Sequence, residues 1–167
     1  MLKHITRITL GILLLSGGSS LLKARDFEYT QAMKKETQTV VFLLENFHYS
    51  QKFINQSQAE ELLEGFMEDL DYNHVFLLKQ DRDELISKHA SRLERNLRRG
   101  ELNAAYDIYQ RYEERVLARI DWVLERLSGE FDFTIEAEYV VDREEFPWIT
   151  STAAADELWE NRLKYEQ

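Results

Sequence analysis

No cysteine occurs anywhere in the 167 residues. That absence excludes disulfides, thiolate metal sites and a cysteine nucleophile, and it leaves the compartment open, because an exported protein can manage without disulfides. Positive charge is scarce: 21 Lys and Arg stand against 31 Asp and Glu, a formal net charge of −10. Three of the basic residues and none of the acidic ones fall in positions 1–24, so residues 25–167 carry 18 against 31 and a net charge of −13. Nucleic acid needs clustered Lys and Arg against its phosphates, so it is not an expected partner, and neither is an anionic membrane face. Long apolar runs are missing too. The run at residues 8–15 is far short of the ~20 residues of a membrane span. The single proline, Pro147, lies outside every helical pattern in the chain.

What is present begins with that short run. Lys3, His4 and Arg7 precede it, Ser16, Gly17, Gly18, Ser19 and Ser20 break it, and Leu21, Leu22 and Ala24 follow. A charged start, an apolar centre and small residues are the parts of a secretory signal peptide, so residues 1–24 are expected to direct export, with cleavage after Ala24. Leu22 is large for its place, which leaves cleavage after Gly18 or Ser20, or an uncut segment holding the protein at the membrane, as alternatives. A buried first helix competes with this reading, but no acid precedes Asp26.

The ~140 residues that remain suffice for one domain with its own core. At 44% hydrophobic and 12% aromatic, the composition is not that of a disordered chain. Met33, Thr37, Val40, Leu44 and Phe47 fall at helical spacing and predict a first helix with that stripe inward. Ser57 with Glu60 has capping-box spacing and opens a second helix carrying Leu62, Leu63, Phe66, Met67 and Leu70. Asp81 with Glu84 announces a third, which runs through Leu85, Ile86, Leu93 and Leu97 to a stop at Gly100. Leu102, Tyr106, Tyr109, Val116, Ile120, Val123 and Leu127 predict a fourth helix of about seven turns, interrupted only by Glu113 and ended by Gly129. Ala105, Ile108, Tyr112, Leu117 and Leu124 widen its apolar face enough for two neighbours.

The period then changes. Phe131, Phe133, Ile135, Ala137, Tyr139 and Val141 alternate with mostly polar residues, the pattern of a half-buried strand. No other stretch offers a strand partner, so this one must lie over the helices with solvated edges or pair with sequence not present. A last helix from about Ala153 turns Leu158, Trp159, Leu163 and Tyr165 inward and reaches Gln167 without a stop signal, which reads as a severed chain. The expected fold is mainly α: a bundle of four to five helices with one extended or β segment near 131–141.

Few constellations suggest chemistry. Asp69, Asp71 and Asn73 have the alternation of a calcium loop, but its sixth position is His74 in place of glycine and its twelfth is Gln80 in place of glutamate. Asp71 and Asp81 suit helix capping instead. His48, His74 and His89 lack the spacing of paired ligands, so no metal and no cofactor is expected. There is no Gly-x-Ser-x-Gly elbow, and Ser50, Ser57, Ser87, Ser91, Ser128 and Ser151 sit at helix ends or on helix surfaces. The run from Gly100 to Tyr106 has the look of a tetratricopeptide helix, yet nothing recurs at about 34 residues. Trp148, Trp159 and Tyr139 are candidate interface residues. For the two tryptophans core packing is the alternative, and Trp148, in an extended segment, is the better anchor.

The order of motifs resembles a known family. FDFT at 131–134, Asp142-Arg143-Glu144 with Pro147-Trp148, then Asp156-Glu157-Leu158-Trp159 and Arg162-Leu163-Lys164-Tyr165 resemble the amino-terminal region of bacterial tail-specific proteases, the carboxyl-terminal processing peptidases. Leu70-Asp71, Asn73-His74, Phe76-Leu77-Leu78 and Asp81 are similar to that family's LDPNH-x-YFL-x-x-D motif, with Tyr72 in place of proline. His48-Tyr49, read as packing, and the GDL-x-x-AY-like stretch at 100–106 add to the likeness, which spans roughly residues 40–165.

The resemblance implies a helical domain that helps frame a bowl around a protease core with an inserted PDZ domain, in a periplasmic enzyme that cleaves unfolded or tagged proteins near their carboxyl termini. The family's serine and lysine dyad lies downstream of this region, so no catalytic residue is carried over. The implied work is packing on the protease core and PDZ domain, with docking of a periplasmic adaptor protein. The competing reading is a free-standing exported helical adaptor that binds a partner by strand addition. A small metal-dependent enzyme has only the scattered histidines to support it.

Overall fold

A computed structural model of the protein describes residues 29–48, 55–134 and 138–166. Residues 1–24, expected to direct export, and Tyr49, Ser50, residues 135–137 and Gln167 therefore lie outside the described residues. The fold is mainly α, as predicted. In chain order the helices are α1 (Gln31–Phe47), α2 (Gln56–Leu70), α3 (Lys79–His89), α4 (Leu93–Arg98), α5 (Asn103–Leu127) and α6 (Thr152–Glu166), with a 3-10 turn at Ala90–Arg92 between α3 and α4. None of them is long and apolar enough to cross a membrane.

The starts of α1, α2, α3 and α6 are fixed by side-chain hydrogen bonds, not always where the sequence suggested. Thr30 caps α1 by accepting the Met33 amide at 3.2 Å. The cap of α2 lies two residues before the expected Ser57. Asn55 accepts the Gln58 amide at 2.9 Å while the Gln58 side chain accepts the Asn55 amide at 3.1 Å, a complete capping box. In α3, Asp81 is the third helical residue and its carboxylate reaches back to the Leu78 amide at 3.0 Å. Ser151 accepts the Ala154 amide at 3.1 Å and opens α6.

The predicted third helix is split by the 3-10 turn, then stops at Gly100, where φ is +70°. A side chain there is excluded twice. The left-handed backbone disfavours it, and a Cβ would stand 2.4 Å from the Lys34 carbonyl oxygen of α1.

Ala59, Leu63 and Met67 of α2 meet Leu77, Leu85, Leu93, Ala104, Ile108 and Trp148 in the main core. A smaller cluster of Leu78, Ile149 and Ala155 anchors α6. Two predicted core stripes face elsewhere. In α1 the half-buried residues are Met33, Lys34, Thr37, Val41 and Glu45, whereas Val40, Leu44 and Phe47 are exposed. In α5 the buried residues are Ala104, Ile108 and Arg119, and the expected Ile120 and Leu127 are exposed. Tyr165, expected inward on α6, is 64% exposed.

Residues 131–134 and 138–141 form no ladder. Asp132 accepts both the backbone amide and the hydroxyl of Thr134, a local turn that competes with strand pairing. The isolated bridge found among the described residues joins Leu78 and Ile149 in parallel.

Candidate functional site

A dense set of hydrogen bonds joins the loop at 71–78 to the arm at 142–159. Asp71, at the end of α2 and 3% exposed, accepts three successive amides, Val75 at 2.9 Å, Phe76 at 2.9 Å and Leu77 at 2.7 Å. Burial pushes its carboxyl above the ordinary range, against the pull of those amides. This single side chain folds the loop, and His74 takes a positive φ of 50° within it.

The loop is then fastened to the arm residue by residue. Tyr72 donates to Glu144, and the Asn73 side-chain oxygen accepts the Arg143 amide at 3.1 Å. The bond to Glu144 raises the Tyr72 hydroxyl to about 12. His74 Nδ1 donates to the Phe146 carbonyl at 2.5 Å while its ring lies 3.9 Å from that of Trp148. The Lys79 amide reaches the Ile149 carbonyl at 2.7 Å, and Trp159 Nε1 donates to the Val75 carbonyl at 3.0 Å.

A second set of polar contacts rests on α5. Asp81, 1% exposed, accepts Arg111 at 2.5 Å and Arg115 at 2.7 and 2.9 Å in addition to the Leu78 amide. Burial alone would raise this carboxyl, but Arg115, the Leu78 amide and Arg111 together hold it below the usual carboxylate value. Farther along, Arg119 binds Asp156 at 2.7 Å with its guanidinium 4.7 Å from the Trp122 ring. Arg126 grips both oxygens of Glu160, at 2.5 and 2.7 Å, and holds that carboxyl low. Arginines 111, 115, 119 and 126 thus join α5 to α3 and α6. Their spacing of four, four and seven was visible in the sequence, on the same face as Ala104 and Ile108, and was passed over in favour of the apolar stripe beside it.

These groups hold structure together and do not assemble a reaction centre. Ser57 donates to Glu61, Ser128 donates to the Glu125 carbonyl and Ser151 caps α6, so their hydroxyls serve helix ends. His89 Nε2 bonds Asp107 at 2.9 Å, with burial pushing the imidazole below its ordinary value. His74 belongs to the loop junction, and His48 is exposed at the end of α1. Among the described residues no three His, Asp or Glu side chains converge as a metal would need.

The three candidate interface residues occupy different environments. Trp148 is 8% exposed within the main core. Trp159 is half-buried, with its ring 5.4 Å from Phe76 and Arg162 over its face at 4.7 Å. Tyr139 is half-buried, and its ring lies tilted against the exposed Tyr165 at 5.6 Å between centroids. At this end of the molecule the tyrosine pair is the more accessible aromatic surface.

The loop and the arm carry the motifs on which the family resemblance was built, and the fold brings them into direct contact. A family model described as the tail specific protease N-terminal domain matches residues 40–167. The tail-specific protease of Haemophilus influenzae is 32% identical over 117 residues, covering 70% of this chain. The chain spans only 17% of the length of that relative. By the extent of both matches, the chain belongs to the tail-specific protease family and carries its N-terminal domain.

Proposed function

We propose that this chain is the non-catalytic N-terminal helical domain of an exported tail-specific protease. It packs against the protease core and PDZ domain in the periplasm and offers a surface to an adaptor protein. One observation carries the reading: the family match runs through residues 40–167, yet the chain corresponds to only 17% of its Haemophilus influenzae relative. The serine hydroxyls that serve helix ends are consistent with catalysis residing in the other part of such a protein.

The test combines chemistry with genetics. The purified chain, incubated with a protein ending in an apolar tail, is expected to leave it intact, and cleavage by the chain alone would overturn the proposal. The reading frame past codon 167 is expected to continue into a PDZ-like stretch and a serine and lysine core. A stop codon flanked by unrelated genes would instead favour the free-standing adaptor. Recovery from the periplasmic fraction with the leader removed after Ala24 would support export.

A further inference from the structure

Buried and half-buried arginines in this molecule come with an acid. Arg82, Arg111, Arg115, Arg119, Arg126 and Arg162 each form an ion pair. Arg143, also half-buried, is the exception among the described residues. Its guanidinium lies 4.7 Å from the Phe146 ring, and its Nε is buried without an acceptor. A buried donor with no acceptor is costly, and the shortage is not one of acids, since the chain has 31. Those beside it in sequence are engaged elsewhere: Glu144 accepts the Tyr72 hydroxyl, and Asp142 accepts the Glu144 amide at 3.3 Å.

Arg143 borders a cavity of about 320 Å³ between the arm and α6. Pro147, Ala154 and Leu158 give it apolar walls, and Asn161 adds a half-buried amide that can both donate and accept, as a peptide group requires. Helix α6 begins beside it at Thr152 with no acid in its first turn, so the positive end of the helix adds to the guanidinium. We infer that this cavity is a recognition site for an acidic side chain on a polypeptide segment: Asp or Glu meets Arg143, a neighbouring apolar residue fills the space between the arm and α6, and Asn161 faces the backbone. The incoming carboxylate supplies the acceptor that the guanidinium lacks, and Arg143 turns from the Phe146 ring to meet it. A side chain suits the site better than a chain end. Terminal carboxylates are held by nests of successive amides that need a left-handed residue, and the non-glycine and glycine residues with positive φ, His74 and Gly100, do not line this cavity. The inference goes beyond the function proposed above and does not depend on it.

The probe is a fluorescent, end-blocked peptide of sequence AVELVA, titrated into this chain by anisotropy beside its neutral counterpart AVQLVA. The acidic peptide binds about tenfold more tightly, and Arg143→Gln abolishes the difference. It is the backbone amide of Arg143 that bonds Asn73, so this variant keeps the loop junction and the wild-type urea midpoint. Glu157, exposed on the rim of the cavity, repels the ligand, and Glu157→Gln tightens binding of AVELVA about threefold. Equal binding of the two peptides, binding of neither, or a preference that survives Arg143→Gln would overturn the site. An unblocked AVQLVA that binds as tightly as blocked AVELVA would assign the cavity to chain ends and overturn the side-chain reading. Urea midpoints that Arg143→Gln and Glu157→Gln each lower, with no further loss in the double variant, would show that Arg143 already pairs with Glu157 and would overturn the inference as well.

Discussion

On the flank of α5 that faces α3 and α6, Arg111, Arg115, Arg119 and Arg126 reach Asp81, Asp156 and Glu160, whereas on the opposite flank Ile120, Leu124 and Leu127 stand exposed. A helix in a self-contained bundle usually does the reverse, turning its apolar stripe inward and its charges to water. The inversion shows what decides which side goes in. A guanidinium can be buried only where a carboxylate waits for it, because an unpaired buried charge costs several kcal/mol. Asp81, Asp156 and Glu160 satisfy that condition along α5. Apolar side chains need no particular partner: Ala104 and Ile108 go inward near the start of α5, while Ile120, Leu124 and Leu127 are left exposed farther along.

The comparison is broken most severely at Asp81. Asp81→Ala removes the Leu78 cap and both arginine partners at once, and it should lower the stability of the chain by about 3 kcal/mol in urea unfolding. That is the lower end for a broken buried pair, since Arg111 and Arg115 are 32% and 33% exposed and can turn to water. A loss near zero would mean that the arginine flank is ornamental.

Acid sharpens the same point, because the two buried carboxylates have opposite signs. Asp81 is held below the unfolded value near 3.8, so its stabilisation is complete above that value and is lost as pH falls through the lower folded pKa. Asp71 is raised above 3.8, so the folded state holds its proton more tightly, and its contribution is lost as pH rises through the folded pKa. The advantage of wild type over Asp81→Asn should therefore shrink on acidification, and that over Asp71→Asn should grow. Parallel urea midpoints across that range would contradict both assignments.

Helix existence was legible in the sequence because apolar residues at steps of three and four report a helix regardless of which way it faces. Facing was less legible. The stripe of Met33, Thr37, Val40, Leu44 and Phe47 is real, but the half-buried residues of α1 are Met33, Lys34, Thr37, Val41 and Glu45, and Glu45 meets Arg98 of α4 at 2.6 Å. Periodicity measures which residues share a side and carries no information on what lies opposite. The alternation at 131–141 suffered from the same limit: a strand needs a partner, and Asp132 satisfies Thr134 locally. The role of Asp81 as a cap could be read from its position ahead of a helical run, whereas its arginine partners lie 30 and 34 residues away and required the fold.

A middle-sized effect is expected where α1 meets the end of α4. Gly100→Ala forces a side chain into a left-handed backbone and against the Lys34 carbonyl, so it should cost about 2 kcal/mol. Hydrogen exchange should show the loss concentrated in α1, with α5 amides protected as before. Uniform loss of protection would mean that α1 is integral to the core and not an appendage to it.

The smallest effect tests the open side directly. Leu44 and Phe47 are 49% and 73% exposed, and α1 contains no buried residue. If these side chains were the inward face that their spacing suggests, replacing both with serine would leave cavities and cost several kcal/mol. Exposed as they are, Leu44→Ser with Phe47→Ser should change stability by no more than about 0.5 kcal/mol per site, most of it from the weaker helix propensity of serine. A large loss would show that α1 is turned the other way in solution, with Val40, Leu44 and Phe47 against the bundle. The contrast between bonded and open sides would then end at α5 and not extend to α1.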